Sequence, residues 1–509
     1  MPSVETVSQA HGGMGNEGLQ DTRESGRKLP HSVTHGMAPA SSSWLPLGMK
    51  ETLHQWWHKA PAAVAEHKVL STIPYLQEAP TQLQTGSTAS APNSPTATDS
   101  LQAVDPSQSG DEIVNSNNDP YGPRRWRSRM VELSGKNRAL NEFSVERIGE
   151  EADQNLVMLH GYGAGLGFFY RNFEPLSRAK GWHLYALDLL GMGRSTRPPF
   201  KIKASDREEA ITEAENWFID ALEEWRVKRK IDRFTLMGHS MGGYIAAAYA
   251  LKYPGRLNKL ILVSPVGIPE DPYAVNEAMP TDSTEGNGTN NRMPPRLPRL
   301  ITYLWDANVS PFSFIRWSGP LGPGLVSRWT SRRFSHLPYA EAAALHDYTY
   351  SIFRLRGSGE YALTYLLAPG AFARSPLIRR IQGIGRQVIR PDSPVAMTSV
   401  SDVSAASVAA SPASQPLREN GIPVIFMYGD HDWMDVAGGF SAKEKIEEER
   451  RRILKEATPE QREADNGSAK VYIVKNAGHH LYLEGDEEFN DIILKEMEDV
   501  RRREAKRQS

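Results

Sequence analysis

Six short apolar runs constrain the fold more than anything else in the chain. They are LVMLHG (156–161), HLYALDLLG (183–191), FTLMGHS (234–240), KLILVSP (259–265), PVIFMYG (423–429) and KVYIVKNAGH (470–479). Each ends at Gly, Ser, Pro or His. Runs this short and this apolar, cut off by turn formers, read as strands buried on both faces. Helical patterns lie between several of them. In AENWFIDALEEW, for example, Trp217, Phe218, Ala221, Leu222 and Trp225 fall on one stripe. Strands alternating with helices predict an α/β fold, a mostly parallel sheet with helices on both faces.

The stretch between the runs at 259–265 and 423–429 is too long for a simple crossover and predicts an inserted helical cap. Within it, TEGNGTNN (284–291) reads as a flexible loop and 392–416 as low-complexity sequence, while 296–381 is helical in pattern and rich in aromatics: Trp305, Phe312, Phe314, Trp317, Trp329, Phe334 and Tyr348. A cap over the carboxyl ends of parallel strands makes an apolar pocket. The expected organisation is a disordered segment at 1–43, an amphipathic lipid-contacting segment at 44–78, and a low-complexity linker at 79–129. A first core part follows at 130–272, the cap insertion at 273–418, and a second core part with a C-terminal helix at 419–509. The 44–78 segment reads as two short helices split at Pro61, carrying Trp44, Trp56 and Trp57, aromatics that suit either a membrane interface or packing on the folded body.

Composition narrows the function. Among 509 residues, 59 basic and 61 acidic side chains nearly balance, which gives no reason to expect a nucleic-acid partner. The absence of cysteine excludes disulfides, thiolate zinc sites and a cysteine nucleophile. No apolar run is long enough for a helix across a bilayer, and the first thirty residues resemble neither a secretory signal nor an acid-poor transit peptide.

GHSMG, inside the third run, matches G-x-S-x-G with Ser240 at its centre. A strand before it and the helical GGYIAAAYALKYP after it are what a nucleophile elbow requires. Gly238 and Gly242 allow the sharp bend. A serine hydroxyl needs a positioned base, and in this architecture an acid and then a histidine follow it along the chain. The last run ends in His479 and His480, of which His479 is preferred as the base. PVIFMYGDHDWMD offers Asp430, Asp432 and Asp435; the usual offset after the strand selects Asp432, with Asp435 as the alternative. The unused carboxylates read as surface or helix-capping groups. The backbone N–H groups of Tyr162 and Met241 are the expected oxyanion donors, with Gly161 and Gly163 letting the early loop approach a ligand. His160 reads as a loop brace. No metal or organic cofactor is called for. HHLYLEGDEEFN approaches an H-x-x-x-x-D acyltransferase pattern, but counting from His479 places Glu484 where the Asp belongs.

HGYGAGLGFFYRNFEPLS, DLLGMGRSTRP, GHSMGGYIAAAYALKYP, YGDHDWMD and GHHLYLEGDEEFN occur in order, after AEHKVLSTIPYL. Together they resemble the lipid-acting α/β-hydrolase subfamily. That subfamily includes lysophospholipid and N-acyl phospholipid hydrolases, the coactivator of triglyceride lipase and the fungal mitochondrial cardiolipin-specific deacylase. The resemblance implies an α/β-hydrolase fold, the triad Ser240, Asp432 and His479, and a phospholipid or lysophospholipid acyl ester as substrate. Cardiolipin remodelling at a mitochondrial membrane is the specific expectation, with cytoplasm or a lipid-droplet surface as the alternative place. Acyl transfer to lysophosphatidic acid and non-catalytic regulation of another lipase are the alternative functions. Ser240 sets the chain apart from the coactivator branch, which lacks the serine, and Glu484 departs from the acyltransferase motif.

Overall fold

Nine strands form one sheet in the computed structural model, which describes residues 45–76, 79–83, 112–115, 118–271, 274–275, 304–305, 307–389 and 417–508. The expectations for 1–43, for Trp44, for the loop at 284–291 and for 392–416 lie outside these residues.

The strands are β1 (Glu112–Val114), β2 (Arg124–Glu132), β3 (Ala139–Arg147), β4 (Gln154–Leu159), β5 (Trp182–Leu187), β6 (Phe234–His239) and β7 (Leu257–Val263). After a small pairing of β8 (Leu367–Ala368) with β9 (Phe372–Ala373) come β10 (Pro423–Gly429) and β11 (Ser468–Val474). The sheet order is β1-β2-β3-β5-β4-β6-β7-β10-β11. From β5 to β11 neighbours are parallel; β1, β2 and β3 add an antiparallel edge. Side chains alternate between two cores. Val157, Leu159 and Leu236 face one, and Leu156, Met158 and Met237 the other. That two-sided burial is why the runs read as continuously apolar.

Helices cover both faces. They are α1 (Met49–His58), α2 (Ala62–Leu70), α3 (Tyr170–Leu176), α4 (Arg207–Lys228) and α5 (Met241–Lys252). The cap between β7 and β10 contributes α6 (Pro311–Trp317), α7 (Gly322–Arg333), α8 (Tyr339–Phe353) and α9 (Leu363–Leu366). Then come α10 (Val436–Glu456), α11 (Pro459–Glu463), α12 (Leu481–Glu484) and α13 (Asp486–Gln508).

The sheet begins earlier than the expected boundary at 130. In β2, Arg124, Trp126 and Ser128 are buried while Arg125 and Arg127 are not. This is an ordinary strand alternation, disguised by arginines that pair with Glu112 and Glu146. Ala79, Thr81 and Gln82, inside the expected linker, are buried too.

The two N-terminal helices split at Pro61 and have different fates. α2 lies in the core: Ala62, Ala65, Val69 and Leu70 are buried, and so is Glu66. Glu66 forms an ion pair with Arg194 and accepts from Asn141 Nδ2 (3.1 Å) and from the hydroxyl of Tyr348 on α8 (3.1 Å). Asp188, after β5, takes the second Asn141 contact (2.8 Å) and the N–H groups of Leu166 (2.7 Å) and Arg194 (2.8 Å). One buried polar cluster thus ties α2, the loop after β4, the loop after β5 and the cap together. α1 packs against α7 and leaves Met49, Leu53 and Trp57 exposed. No helix among the described residues is long and apolar enough to cross a membrane.

Candidate active site

The sheet reverses direction of growth at β4, with β5 on one side and β6 on the other. At such a switch point the loops leaving neighbouring strands part and open a crevice. Leu159 pairs with Gly238 there, so the His160–Gly161 turn and the Ser240 turn leave the sheet side by side. A Cβ on Gly161 would stand 2.9 Å from the Ser240 Cβ, and one on Gly238 would strike the Gly242 carbonyl. Both positions require glycine for close approach rather than for an unusual φ.

Ser240 joins β6 to α5 with φ 55° and ψ −118°. A residue with a side chain occupies that region only when its surroundings enforce it. They do: its N–H donates to Val263 O (2.9 Å), and its carbonyl accepts from the N–H groups of Gly243 (3.0 Å) and Tyr244 (3.2 Å). Ser240 is 7% exposed, so its hydroxyl is reached only from the crevice.

His479 Nε2 lies 3.1 Å from Ser240 Oγ. On the other side of the ring, Nδ1 lies 3.2 Å from Asp432 Oδ1 and 2.7 Å from Ser264 Oγ. The Ser264 hydroxyl donates to Asp432 Oδ2, so its lone pairs face the imidazole. Nδ1 must then carry the proton, shared between the carboxylate and Ser264, and the Nε2 lone pair faces Ser240. Burial lowers the His479 pKa from its ordinary value, and Asp432 recovers part of the loss. Burial pushes the Asp432 carboxyl up, but His479, Ser264 and the Met434 N–H more than reverse this and hold it below the usual range. The result is a neutral base beside an ionised acid.

The other sequence candidates separate cleanly. His480 is buried against Phe168, His239 and Tyr482, and burial drives its pKa well down. Asp435 sits exposed at the start of α10 and makes no contact with His479. Asp430 is exposed, as expected of an unused carboxylate, and it accepts the N–H groups of Asn476 and Ala477 (both 3.0 Å), joining the loop of Asp432 to the loop of His479. His160 braces its loop: Leu189 N–H donates to Nε2 (3.0 Å) and Nδ1 donates to Gly161 O (2.8 Å), with burial lowering its pKa to about 4. Glu484 accepts the Gly478 N–H, a turn contact one residue before the base. The N–H groups of Tyr162 and Met241 have no acceptor among the described residues. The Tyr162 ring stacks on Phe312 of the cap (4.9 Å), and Phe312 on Phe353 (4.2 Å), while Gly163 (φ 72°) faces both phenylalanines. Of the aromatics expected in the cap pocket, Phe334 and Tyr348 are core residues and Trp317 is exposed.

The alpha/beta hydrolase fold profile matches residues 154–290. The chain is similar to a probable 1-acylglycerol-3-phosphate O-acyltransferase of Oryza sativa subsp. japonica, 35% identical over 342 residues, 66% of this chain and 68% of that one. The chain belongs to the α/β-hydrolase fold family, in the branch that holds these relatives. It is also similar to the 1-acylglycerol-3-phosphate O-acyltransferase ABHD5 of Homo sapiens, 38% identical over 280 residues, 54% of this chain and 70% of that one. The (lyso)-N-acylphosphatidylethanolamine lipase of Homo sapiens is 29% identical over 373 residues, 72% of this chain and 86% of that one.

Two groups in this α/β-hydrolase escaped the sequence reading. In sequence Ser264 stands only near the end of the apolar run KLILVSP. Its φ of 45° aims a fully buried hydroxyl between acid and base. His239, inside GHSMG, donates through Nε2 to the carbonyl of His479 (2.9 Å). The elbow strand therefore holds the backbone of the base as well as the serine. Only the histidine's place beside Ser240 hinted at this.

Proposed function

We propose that the protein is a serine-dependent carboxylic ester hydrolase that removes acyl chains from phospholipids. The observation that carries this reading is the continuous chain from Ser240 Oγ through His479 to Asp432 and Ser264. His479 Nε2 takes the serine proton as Oγ attacks the acyl carbonyl. The oxyanion is held by the N–H groups of Tyr162 and Met241, with the positive end of α5 behind them. The imidazolium, stabilised by Asp432, gives its proton to the leaving alkoxide of the lysolipid. Water, deprotonated by His479, then cleaves the acyl-enzyme and regenerates Ser240.

A phospholipid substrate is supported by the names of the relatives and by the apolar groups around the cap: Met49, Leu53, Trp57, Phe314, Trp317 and Leu321 are all exposed. These suit a peripheral lipid surface. Cardiolipin at a mitochondrial membrane is the first case to examine, on the resemblance to the fungal deacylase.

A second reading, acyl transfer, is favoured by relatives named as 1-acylglycerol-3-phosphate O-acyltransferases. The same acyl-enzyme would give its chain to a lysolipid hydroxyl instead of water. Glu484 lends this no help, since its carboxylate is engaged by the Gly478 N–H.

Lipid mass spectrometry on liposomes containing cardiolipin, other phospholipids, lysolipids and labelled acyl-CoA decides between them. Free fatty acid with the matching lysolipid is expected. Ser240→Ala should lower kcat by a factor on the order of 10⁶, as in other triads. Label entering a phospholipid would put transfer first, and unimpaired turnover by Ser240→Ala would end both readings.

A further inference from the structure

Ester geometry divides the site. His479 must protonate the leaving oxygen, so the alcohol part of any ester at Ser240 lies on the imidazole side. Beside His479 is an open groove of about 500 Å³, bounded by Arg333, His431, Trp433, Asn476, Gly478 and Glu484.

Arg333 is the last residue of α7, on the cap. Its side chain is half-buried, its Nε is sealed from water without an acceptor, and no carboxylate among the described residues reaches ion-pair distance. The carboxylates that face it are committed elsewhere: Glu484 to the Gly478 N–H, Asp432 to His479 and Ser264. Burial lowers the Arg333 pKa, and these carboxylates, with Tyr482, only partly offset it. A guanidinium partly withdrawn from water normally finds a planar or tetrahedral oxyanion partner. Here the groove offers that place to the bound molecule.

We propose that Arg333 is the phosphate-binding group of this site and holds the headgroup phosphate of a phospholipid whose acyl ester lies at Ser240. The glycerol spacer is a few bonds long, so a phosphate on the leaving alcohol falls in the groove beside the imidazole. A forked pair of N–H···O bonds from the guanidinium suits a phosphate's oxygens, whereas an ammonium meets them as a point charge. The inference rests on the ester-hydrolase reading and adds what selects the substrate.

The test compares wild type, Arg333→Gln and Arg333→Lys on two substrates with the same acyl chains, phosphatidylglycerol and diacylglycerol, in neutral detergent micelles. Arg333→Gln should lower the ratio of kcat/KM for phosphatidylglycerol to that for diacylglycerol by about tenfold or more, the value of a charge-assisted pair. The loss should lie chiefly in KM, and Arg333→Lys should recover part of it. A ratio unchanged by Arg333→Gln, whether both substrates suffer alike or neither does, overturns the proposal. In the same assay, competition by inorganic phosphate that Arg333→Gln abolishes supports the site as one that takes free phosphate too. No competition, with the lipid ratio still falling, supports a site for the tethered headgroup alone. Should wild type cleave neither substrate, the ester-hydrolase reading fails. Calorimetric binding of dihexanoyl phosphatidic acid then judges the groove: weaker binding by Arg333→Gln supports it and equal binding overturns it.

Discussion

With a hydroxyl standing between acid and base, the His479 Nδ1–H has two acceptors, and the shorter contact is to Ser264 Oγ, 2.7 Å against 3.2 Å for Asp432. Ser264→Ala would leave the imidazole held by one longer bond and remove a donor from the buried carboxylate. The loss of a buried hydrogen bond to a charged group corresponds to about tenfold, expected in kcat with KM little changed; steady-state kinetics on any accepted ester checks it. The pH profile follows from the same cluster. As the proposed base, His479 would work only when neutral, and burial places its pKa below 6.5. The acid limb of kcat/KM should therefore fall below pH 6.5, with activity rising as pH climbs through that limb. The positions of Ser240, Asp432 and His479 were legible because each follows a strand end at a characteristic offset. Ser264 and Arg333 were not, because neither has a neighbour in sequence that shares its task. One lies opposite an acid 168 residues away, and the other reaches the site from the cap.

At the scale of elements, α1 and α2 show what a hydropathy pattern can and cannot distinguish. Both looked amphipathic, yet α2 is part of the core and α1 keeps an apolar flank in water. Ala62, Ala65, Val69 and Leu70 of α2 join the core, and Glu66 among them is bonded to Arg194, Asn141 and Tyr348, a burial that could not be read from sequence. β2 misled in the opposite way, its arginines hiding a strand alternation. Trp57 on α1 is 75% exposed and Trp317 at the end of α6 is 70% exposed. Transferring a large side chain out of water gains roughly 1.5–3 kcal/mol. Replacing both tryptophans with serine should weaken liposome binding by at least about tenfold in co-sedimentation. Their exposure predicts a change in stability within about 0.5 kcal/mol.

For the molecule as a whole, the last helix is fastened to an inner strand of the sheet by charge. Lys259 on β7 is buried and donates to Asp499 (2.8 Å) and to the Glu496 carboxylate on α13. Burial raises both carboxyls, and Lys259 with its neighbours more than reverses it, so both sit below their ordinary 4.5 and 3.8. Depressed acids stabilise the fold above their unfolded values and lose that contribution as pH falls through the folded ones. Denaturant midpoints should therefore drop below about pH 4. Lys259→Met removes the buried partner of both carboxylates, which keep Lys470 and Tyr472 on Glu496 and Arg502 and Arg503 on Asp499, and should cost about 1–3 kcal/mol at neutral pH. That deficit should shrink on acidification as the two groups take up protons. The parallel half of this architecture was plain from the apolar runs. The antiparallel edge was not, because arginines mask the alternation of β2 and because β3 buries the polar Asn141, Glu142 and Ser144, which break up its apolar run.

β7 and β10 are hydrogen-bonded neighbours in register, Leu260 beside Val424 and Val263 beside Met427, although the entire cap is threaded between them. Its two ends are thus clamped at adjacent points of a rigid frame, while Ser240, Ser264, Asp432 and His479 all stand on the frame's own strand ends. Such an arrangement is a socket. Inheritance can exchange, lengthen or prune what is plugged into it and alter what is admitted, leaving the side chains on the frame where they were.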